Sequence, residues 1–271
     1  MTNYNNNKPL VSVIMSVRNC EEFLKKCIIS ILSQSYKNIE FIIVNDASSD
    51  GTKTIINSFK EKRVKIISNK RRLGLTNSLN KALGIAKGKY IARMDGDDIA
   101  FKNRIRDQVN YMEKHKKVGV VGSWVKIIDQ NNKIIGNLKF PVSNKSIKKY
   151  IFTSNPFRHS TVLIRKSLFE LYGNYDKLLD GAEDYDLWLR FARFTKFANI
   201  PSYLLYYRFH TNQVSNKSES KVLISAIKSR VKAIFLYRYS ITNFIYLLIP
   251  IIGLIIPKII KTKFSKSYLY K

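Results

Sequence analysis

Cysteine, tryptophan and histidine are scarce in this sequence of 271 residues, which holds two, two and three of them. The two cysteines, Cys20 and Cys27, would lie about 10 Å apart along a single helix, which is too far for a disulfide bond. We therefore expect two reduced thiols and not a disulfide-stabilised secreted domain. Residues 1–9 are polar and contain no apolar run, so the sequence predicts a disordered N-terminus, no secretion signal and a cytoplasmic location.

Acidic residues are also few, because 19 aspartates and glutamates stand against 48 lysines and arginines, a formal net charge of +29. Such a charge fits nucleic acid, anionic lipid or a phosphorylated ligand as partner, and composition alone leaves the three open. The basic residues are spread along the chain without an aromatic-basic platform or a recognition-helix pattern, so we expect no nucleic-acid partner. No Gly-x-Gly-x-x-Gly follows the first apolar run, which disfavours a dinucleotide-dependent oxidoreductase.

The first half of the chain alternates between short apolar runs rich in β-branched residues and longer segments with helical spacing. Strands are predicted at Leu10–Val17, Ile39–Val44, Val64–Ser68, Tyr90–Met94 and Val118–Ser123, and helices at Glu21–Gln34, Thr52–Lys62, Leu75–Lys87 and Asn103–Lys116. This alternation predicts an α/β fold with a mostly parallel central sheet flanked by helices.

From Trp124 onward the pattern changes to a hairpin and shorter elements. We expect the hairpin at Val125–Asp129 and Lys133–Leu138, strands at Thr161–Ile164 and Tyr203–Phe209, and helices at Asp184–Arg193 and Lys217–Arg238, the last of them basic and amphipathic.

An uncharged stretch follows, from residue 239 to residue 257, and it approaches the roughly 20 residues that a membrane-spanning helix needs. Pro250, Gly253 and Pro257 interrupt it, and basic residues flank both ends. This pattern favours a segment that lies in or dips into the membrane interface over a clean span. A C-terminal core helix is a further alternative, disfavoured because the stretch ends in a basic tail.

Polar motifs occur where strands of an open parallel sheet should end, which is the usual place for a ligand site. Asn45–Thr52 follows the second predicted strand, and Asp46 can accept hydrogen bonds from a pyrimidine base; an ordinary turn with a helix cap explains the segment equally well.

Met94–Asp98 follows the fourth strand. Its carboxylates can hold a hard divalent cation, whereas the plainer interpretation is a solvated acidic turn.

Two further motifs lie in the second half of the chain. Glu183 and Asp184 open a predicted apolar helix, where acids also stabilise the helix dipole without any catalytic role. Asp184 is a candidate general base for a hydroxyl proton. Arg208 and His210 end a predicted strand and can address a diphosphate and its metal, although a single histidine is often structural.

Five segments, in order and at the same spacing, resemble the family 2 glycosyltransferases with the GT-A fold. They are Val11–Asn19, Asn45–Thr52, Leu73–Leu75 with Asn80, Gly88–Asp98 and Glu183–Arg190. The resemblance runs from about Leu10 to Ser215. It implies inverting transfer of a sugar from a nucleotide-diphosphate donor, commonly a UDP-sugar, with Mn²⁺ or Mg²⁺ as cofactor.

The resemblance assigns the donor-binding residues one by one. Ser16, Val17 and Arg18 would line the base pocket, Asp46 would hold the base, and Arg72 would reach the base or a phosphate. Many relatives have Pro and Tyr in place of Ser16 and Arg18, so the identity of the nucleotide stays open.

The metal and the base are assigned in the same way. Asp97 would be the principal metal ligand, Asp95 would lie in the ribose or metal shell, His210 would contact the metal or diphosphate, and Asp184 would be the base. The Gln-x-x-Arg-Trp element of processive synthases is missing, which favours addition of a single sugar. A nucleotide-binding, membrane-docking module without catalysis is the alternative, and it is disfavoured because Asp97 and Asp184 are both present.

The resemblance also divides the chain and suggests its partners. Residues 10–215 would be the catalytic domain, with a nucleotide-binding half at 10–123 and an acceptor-binding half at 124–215, and residues 216–271 would be a membrane-associating appendage. We expect a saccharide or lipid-linked saccharide acceptor, in synthesis of a bacterial-type surface polysaccharide. The protein would then lie peripherally or monotopically at the inner face of the cell membrane.

Overall fold

A computed structural model describes residues 8–179, 181–210 and 219–255 of the chain. Predictions for residues 1–7, for the loop at 211–215 and for the tail from 256 onward lie outside these residues. The strands are β1 Val11–Val17, β2 Ile39–Asn45, β3 Val64–Ser68, β4 Tyr90–Arg93, β5 Ile99–Ala100, β6 Val118–Ile128, β7 Ile134–Leu138, β8 Leu163–Arg165 and β9 Lys196–Arg208.

The α-helices are α1 Glu21–Leu32, α2 Thr52–Ser58, α3 Leu75–Ile85, α4 Arg104–Lys114, α5 Asn144–Tyr150, α6 Lys166–Tyr172, α7 Glu183–Phe191, α8 Glu219–Phe235 and α9 Leu248–Ile255. Two 3₁₀ helices, His159–Thr161 and Ile241–Leu247, complete the elements of the described part of the chain.

All nine strands of the described residues join one sheet, in the order β3-β2-β1-β4-β8-β6-β9-β5, with β7 paired to β6. The first four strands pair in parallel, as predicted, with Val11 opposite Ile39 and Tyr90. β8 runs antiparallel between β4 and β6, whereas β6 and β9 are again parallel. The predicted α/β fold with a helix-flanked sheet is confirmed.

Residues on β1 and β2 alternate between two separate cores, one on each face of the sheet. Val13 and Met15 belong to one core, and Ile14 and Ile42 belong to the other. Side chains of a strand point to opposite faces in turn, and apolar residues in both sets bury the strand completely. This burial explains why the first strands read as continuous apolar runs.

The second half holds most of the differences from the sequence-based expectations. β6 is one long strand through Trp124, with register shifts against β9 near that residue, and its hairpin with β7 is confirmed. β9 begins at Lys196, well before the expected start at Tyr203. β5, α5 and α6 were not predicted, because they span two to seven residues and carry little periodicity.

Helix α8 packs on α7, although the sequence analysis placed it in a separate appendage. Arg230 Nε donates to the Phe152 carbonyl at 3.1 Å, and Lys232 Nζ donates to Asp176 Oδ2 at 2.6 Å. The Tyr237 hydroxyl donates to Asp186 Oδ1 at 2.8 Å, so the packing crosses the expected boundary at residue 216. Within the described residues, no helix has both the length and the apolar character needed to cross a membrane.

Two glycines near the end of α3 provide a matched test of packing. A Cβ on Gly88 would lie 2.5 Å from the Ser12 backbone nitrogen and 2.8 Å from the Leu10 carbonyl oxygen, whereas a Cβ on Gly84 would meet nothing within 4 Å. We expect Gly88→Ala to destabilise the protein by about 1–3 kcal/mol. Gly84→Ala, inside α3, should leave stability unchanged or raise it by about 0.5–1 kcal/mol. Urea unfolding of both variants checks this, and equal midpoints would contradict it.

Candidate active site

Three carboxylates cluster directly after β4. One oxygen from each of Asp95, Asp97 and Asp98 lies within 4.8 Å of the others. Asp98 is fully buried, whereas the side chains of Asp95 and Asp97 are 32% and 22% exposed. The parallel pairing of β4 with β1 brings this cluster to the same edge of the sheet as Asp46, which follows β2. The sequence prediction of a site at this edge agrees with that geometry.

Buried guanidinium groups surround the acid cluster. Arg93, the last residue of β4, forms an ion pair with Asp95. Behind it, the fully buried Arg104 donates from Nη2 to the Arg93 carbonyl at 2.8 Å and from Nε to Gln108 Oε1 at 3.2 Å. Burial lowers the pKa of Arg104 to about 10, and the charge of Asp98 opposes that shift. Positive charge inside the protein therefore offsets part of the repulsion among the aspartates.

Arg208 shapes the cluster from β9. Its backbone N–H donates to Asp98 Oδ1 at 2.9 Å, and its Nε donates to the Asp97 carbonyl at 2.8 Å. Its Nη1 donates to the Asp129 carbonyl at 2.7 Å, and the guanidinium lies 4.4 Å from the Phe23 ring centroid. The expectation that Arg208 addresses a diphosphate is corrected, because these donors are directed at the protein's own backbone and the residue is fully buried.

His210 lies beside Asp97. Its Nε2 is 3.0 Å from Asp97 Oδ2, and its ring centroid is 5.2 Å from that of Phe23. This position, 113 residues from Asp97 in the sequence, is a consequence of the antiparallel pairing of β9 with β5, in which Ile99 lies opposite Tyr206. The arrangement places an imidazole at the edge of the carboxylate cluster.

The residues of the cluster fit a hard divalent cation. Burial, together with the charges of Asp97 and Asp95, raises the pKa of Asp98 well above its ordinary value. Burial also raises the pKa of Asp95, with Arg93 opposing and Asp97 adding to the rise. Asp98 Oδ2 is buried without a hydrogen-bond partner among the described residues. A cation on these oxygens would relieve the repulsion, and carboxylate oxygens are the ligands that Mg²⁺ and Mn²⁺ prefer.

The predicted base lies in the first turn of α7. Asp184 Oδ2 accepts a hydrogen bond from Asn155 Nδ2 at 2.7 Å. The neighbouring Glu183 is buried and accepts from the Gly181 N–H at 2.8 Å. Burial and the adjacent charge of Asp184 raise the pKa of Glu183 to about 7. Burial likewise raises the pKa of Asp184, whereas Asn155, Arg93 and Arg158 oppose that rise.

The acid cluster and the start of α7 have two basic neighbours in common, Arg93 and Arg158. Arg93 and Arg158 act electrostatically on both Asp95 and Asp184, although the two acids are far apart in the sequence. Tyr175 joins them, since the charges of Glu183, Asp184 and Asp95 all contribute to its raised pKa, after burial. The two halves of the chain therefore converge here.

The predicted donor-binding residues at the end of β1 differ in how far their side chains are exposed to solvent. Arg18 is exposed and Ser16 half-buried, whereas Val17 is 4% exposed and belongs to a core. A Cβ on Gly96 would lie 2.6 Å from Val17 Cγ1 and 3.1 Å from Cys20 Sγ. Gly96 therefore permits close packing of the two strand ends.

Asp46 holds the loop that carries Arg72. Its Oδ1 accepts from Asn69 Nδ2 and the Leu73 N–H, both at 2.8 Å, and its Oδ2 accepts from the Gly74 N–H at 2.9 Å. Burial opposes ionisation, but these hydrogen bonds prevail and lower the pKa of Asp46. Arg72 itself is exposed at this edge of the sheet.

Several site residues were missed by the sequence analysis, namely Arg93, Arg104, Asn155, Arg158, His159 and Tyr175. Asn80, which was quoted only as part of the resemblance, exchanges two hydrogen bonds with the Tyr175 backbone, at 2.9 and 3.2 Å. The Asn-Pro-Phe-Arg-His run at 155–159 was the available signal, because so many polar groups are unusual just before a buried strand.

Comparison with known proteins identifies the family of this chain. Residues 12–173 match the model of "Glycosyl transferase family 2", so the chain belongs to that glycosyltransferase family. An Escherichia coli relative described as UDP-Glc:alpha-D-GlcNAc-diphosphoundecaprenol beta-1,3-glucosyltransferase WfaP is 35% identical over 247 residues, which cover 87% of this chain and 94% of that protein. The resemblance stated from the sequence is confirmed.

Solved structures show the same fold. S. aureus TarS 1–349 in complex with UDP-GlcNAc has a TM-score of 0.69 at 18% identity, covering 88% of this chain and 70% of that chain. Mannosyltransferase PcManGT from Pyrobaculum calidifontis, in complex with GDP-Man and Mn²⁺, has a TM-score of 0.65 at 17% identity. The match covers 92% of this chain and 75% of that chain. The GT-A fold of this chain is thereby confirmed.

Asp46 generates a stability prediction. Asp46→Asn should destabilise the protein by about 1–3 kcal/mol, because an amide NH₂ would replace an oxygen that accepts from the loop. The pKa of Asp46 is lowered by folding, so its stabilisation is present above the unfolded value, about 3.9, and is lost as pH falls through the folded value. Thermal melts from neutral to acidic pH should show the difference shrinking. Asp107→Asn, at a half-exposed site on α4, is the control; an equal effect there would contradict the prediction.

Proposed function

We propose that this glycosyltransferase moves a sugar from a UDP-sugar donor to a hydroxyl of a lipid-linked saccharide, with inversion at the anomeric carbon. The observation that carries the proposal is that the Asp95–Asp98 cluster and Asp184 are both close to the guanidinium groups of Arg93 and Arg158. A donor and an acceptor must meet at such a junction.

The carboxylates of Asp97 and Asp98, with Asp95 and His210 at the margin, would hold Mn²⁺ or Mg²⁺. When bound, the cation supplies Lewis-acid neutralisation of charge on the departing diphosphate. The Mn²⁺ complex of the Pyrobaculum neighbour supports this cofactor class.

The nucleotide would lie along the sheet edge between the ends of β1 and β2. Ser16 and Arg18 are accessible there, and Arg72 projects from the loop that Asp46 holds. Asp46 accepts three hydrogen bonds from that loop. Besides contacting the base, it would therefore hold one wall of the base pocket in shape. The UDP-GlcNAc complex of the TarS neighbour and the UDP-Glc named for the E. coli relative support a uridine nucleotide.

Asp184 would accept the proton of the acceptor hydroxyl. As that O–H bond breaks, the oxygen's electron pair forms the new bond to the anomeric carbon. The bond from that carbon to the diphosphate breaks at the same time, and its electrons leave with the nucleotide. One base on the face opposite the leaving group implies inversion. The half-buried position of Asp184 limits access of competing water.

The acceptor would arrive at a membrane surface. Apolar side chains are exposed along the C-terminal part of the described chain, including Ile241 at 66%, Ile245 at 65% and Leu236 at 66%. Such a surface, on a chain with a net charge of +29, fits an anionic bilayer. The diphosphoundecaprenol acceptor named for the E. coli relative supports a lipid-linked saccharide at the inner membrane face.

The metal site is tested by Asp97→Asn. Removal of this charge should weaken Mn²⁺ binding at least tenfold in calorimetry and reduce sugar transfer at least 100-fold, because both depend on the carboxylate cluster. UDP-glucose and UDP-GlcNAc with a lipid-diphosphate-linked saccharide are the substrates to assay. Asp107→Asn, a charge-matched change on the surface of α4, should leave both quantities unchanged. Full transfer by the Asp97 variant would overturn the proposed site. Donor binding without transfer by the wild type would favour a non-catalytic module.

Membrane binding is tested by Ile241→Glu in flotation with phosphatidylglycerol-containing vesicles. The charged side chain should lower vesicle affinity about tenfold, since it removes apolar burial worth roughly 1.4 kcal/mol. Leu171→Glu, on α6, changes a side chain that is 71% exposed and should leave the affinity unchanged. If the two variants bound vesicles equally well, the C-terminal apolar surface would not be the membrane contact.

A further inference from the structure

Two acids are adjacent at the start of α7, and both lie in a largely dry environment. Glu183 is 4% exposed and Asp184 is half-buried. Two neighbouring carboxylates in such a place resist simultaneous ionisation, because each disfavours the charge of the other. A general base must be ionised before it can take a proton. The surroundings must therefore decide which of the two carries the charge.

The charges that act on Glu183 are those of Asp184 and Arg93, and its direct contacts are with other groups. Its Oε2 accepts from the Gly181 N–H at 2.8 Å, and its Oε1 lies 4.0 Å from His159 Nδ1. His159 is buried against Tyr175, whose hydroxyl is 2.9 Å from Nε2. Burial, with help from Arg93, lowers the pKa of His159 well below its ordinary value, so this imidazole is neutral.

Asp184 instead faces the loop from Asn155 to Arg158. Asn155 Nδ2 donates to Asp184 Oδ2 at 2.7 Å, and Asn155 Oδ1 in turn accepts from the Phe157 N–H at 3.2 Å. The amide of Asn155 is thereby oriented from both ends. Among the described residues, the charged and titratable groups that act on Asp184 or respond to it are Glu183, Arg93, Arg158, Tyr175 and Tyr185.

Arg158 forms no direct ion pair with an acidic side chain of the described residues. Other contacts hold it in place. Its guanidinium stacks on the Tyr207 ring of β9, 4.2 Å from the centroid, and its Nε is buried without a hydrogen-bond partner in the described chain. Its backbone carbonyl accepts from the Thr161 N–H at 2.8 Å and from the Thr161 hydroxyl at 2.7 Å. Arg93, in contrast, is already paired with Asp95.

We infer, on the basis of the proposed function, that Asn155 and Arg158 are positioning residues for the base. Asn155 orients the Asp184 carboxylate toward the acceptor, and Arg158 supplies the positive charge that makes Asp184, and not Glu183, the ionised member of the pair. A stacked guanidinium suits this role because its charge persists at all working pH values and its plane is fixed by the ring.

The test is the pH dependence of kcat/KM for sugar transfer, measured for wild type, Arg158→Met and Arg158→Lys. Loss of the positive charge makes Asp184 harder to ionise, so the acidic limb of the Arg158→Met profile should move up by about one pH unit. Activity would then fall about tenfold at acidic pH and much less at alkaline pH. Arg158→Lys keeps the charge and should restore the limb to near the wild-type position.

Each assay uses saturating Mn²⁺ at every pH, so that altered metal affinity at the nearby Asp95 does not enter the comparison. Arg106→Met, on the exposed surface of α4, is the matched loss of an arginine and should leave the profile unshifted. An Arg158→Met profile that is lowered equally at all pH values, or a limb that Arg158→Lys fails to restore, would overturn the assignment of Arg158.

Asn155→Ala provides an independent measurement. Without the amide that orients Asp184, kcat should fall about tenfold or more, while KM for the nucleotide-sugar changes little because Asn155 is not one of the residues proposed to bind it. An Asn155→Ala enzyme with unchanged kcat would overturn the positioning role of Asn155. Failure of the proposed function is distinguishable, since the wild type would then show no sugar transfer or Asp184→Asn would retain it. Thermal melts confirm that each variant is folded.

Discussion

Three carboxylates held within 4.8 Å of one another after β4 are the constraint around which this protein is organised. Like charges at that separation repel, and a protein can keep them together only with compensating positive charge. Arg93 supplies it through an ion pair, Arg104 from behind the strand, and Arg208 through its backbone N–H and its guanidinium. Asp98 Oδ2 is still without a hydrogen-bond partner among the described residues, and this buried acceptor favours a bound cation.

Two guanidinium groups connect the first and second halves of the chain. Arg93 lies in the first half and Arg158 in the second, yet both act on Asp95 and on Asp184. The Asn80–Tyr175 hydrogen bonds join the halves a second time. On its other side, α7 is held by Lys232 of α8 and by Tyr237, two residues beyond that helix, which both contact Asp186. The second aspartate of the Glu-Asp-Tyr-Asp run is therefore structural, while the first is the candidate base.

Local pattern was informative wherever a residue's surroundings are close in the sequence. β1, β2 and β4 were predictable because nearly complete burial leaves unbroken apolar runs. The motifs of Asp97 and Asp184 were recognisable because they follow such a run or open a helix. The role of Arg208 was misjudged, since its partners include Asp129, directly after β6, and Phe23 of α1, and no spacing rule connects those segments with β9. β5, with two residues, left no periodic signal at all.

The sequence alone determined the α/β alternation, the order of the motifs and the membership of a glycosyltransferase family, because these depend on local periodicity and on residue identity. Only the tertiary structure decided which charges meet. Arg158 stacks on Tyr207, Asn155 donates to Asp184, and His210 lies against Asp97, across separations of 29 to 113 residues for the two hydrogen-bonded pairs. Electrostatic energy depends on distance in space and on burial, and neither quantity is written in the order of the residues.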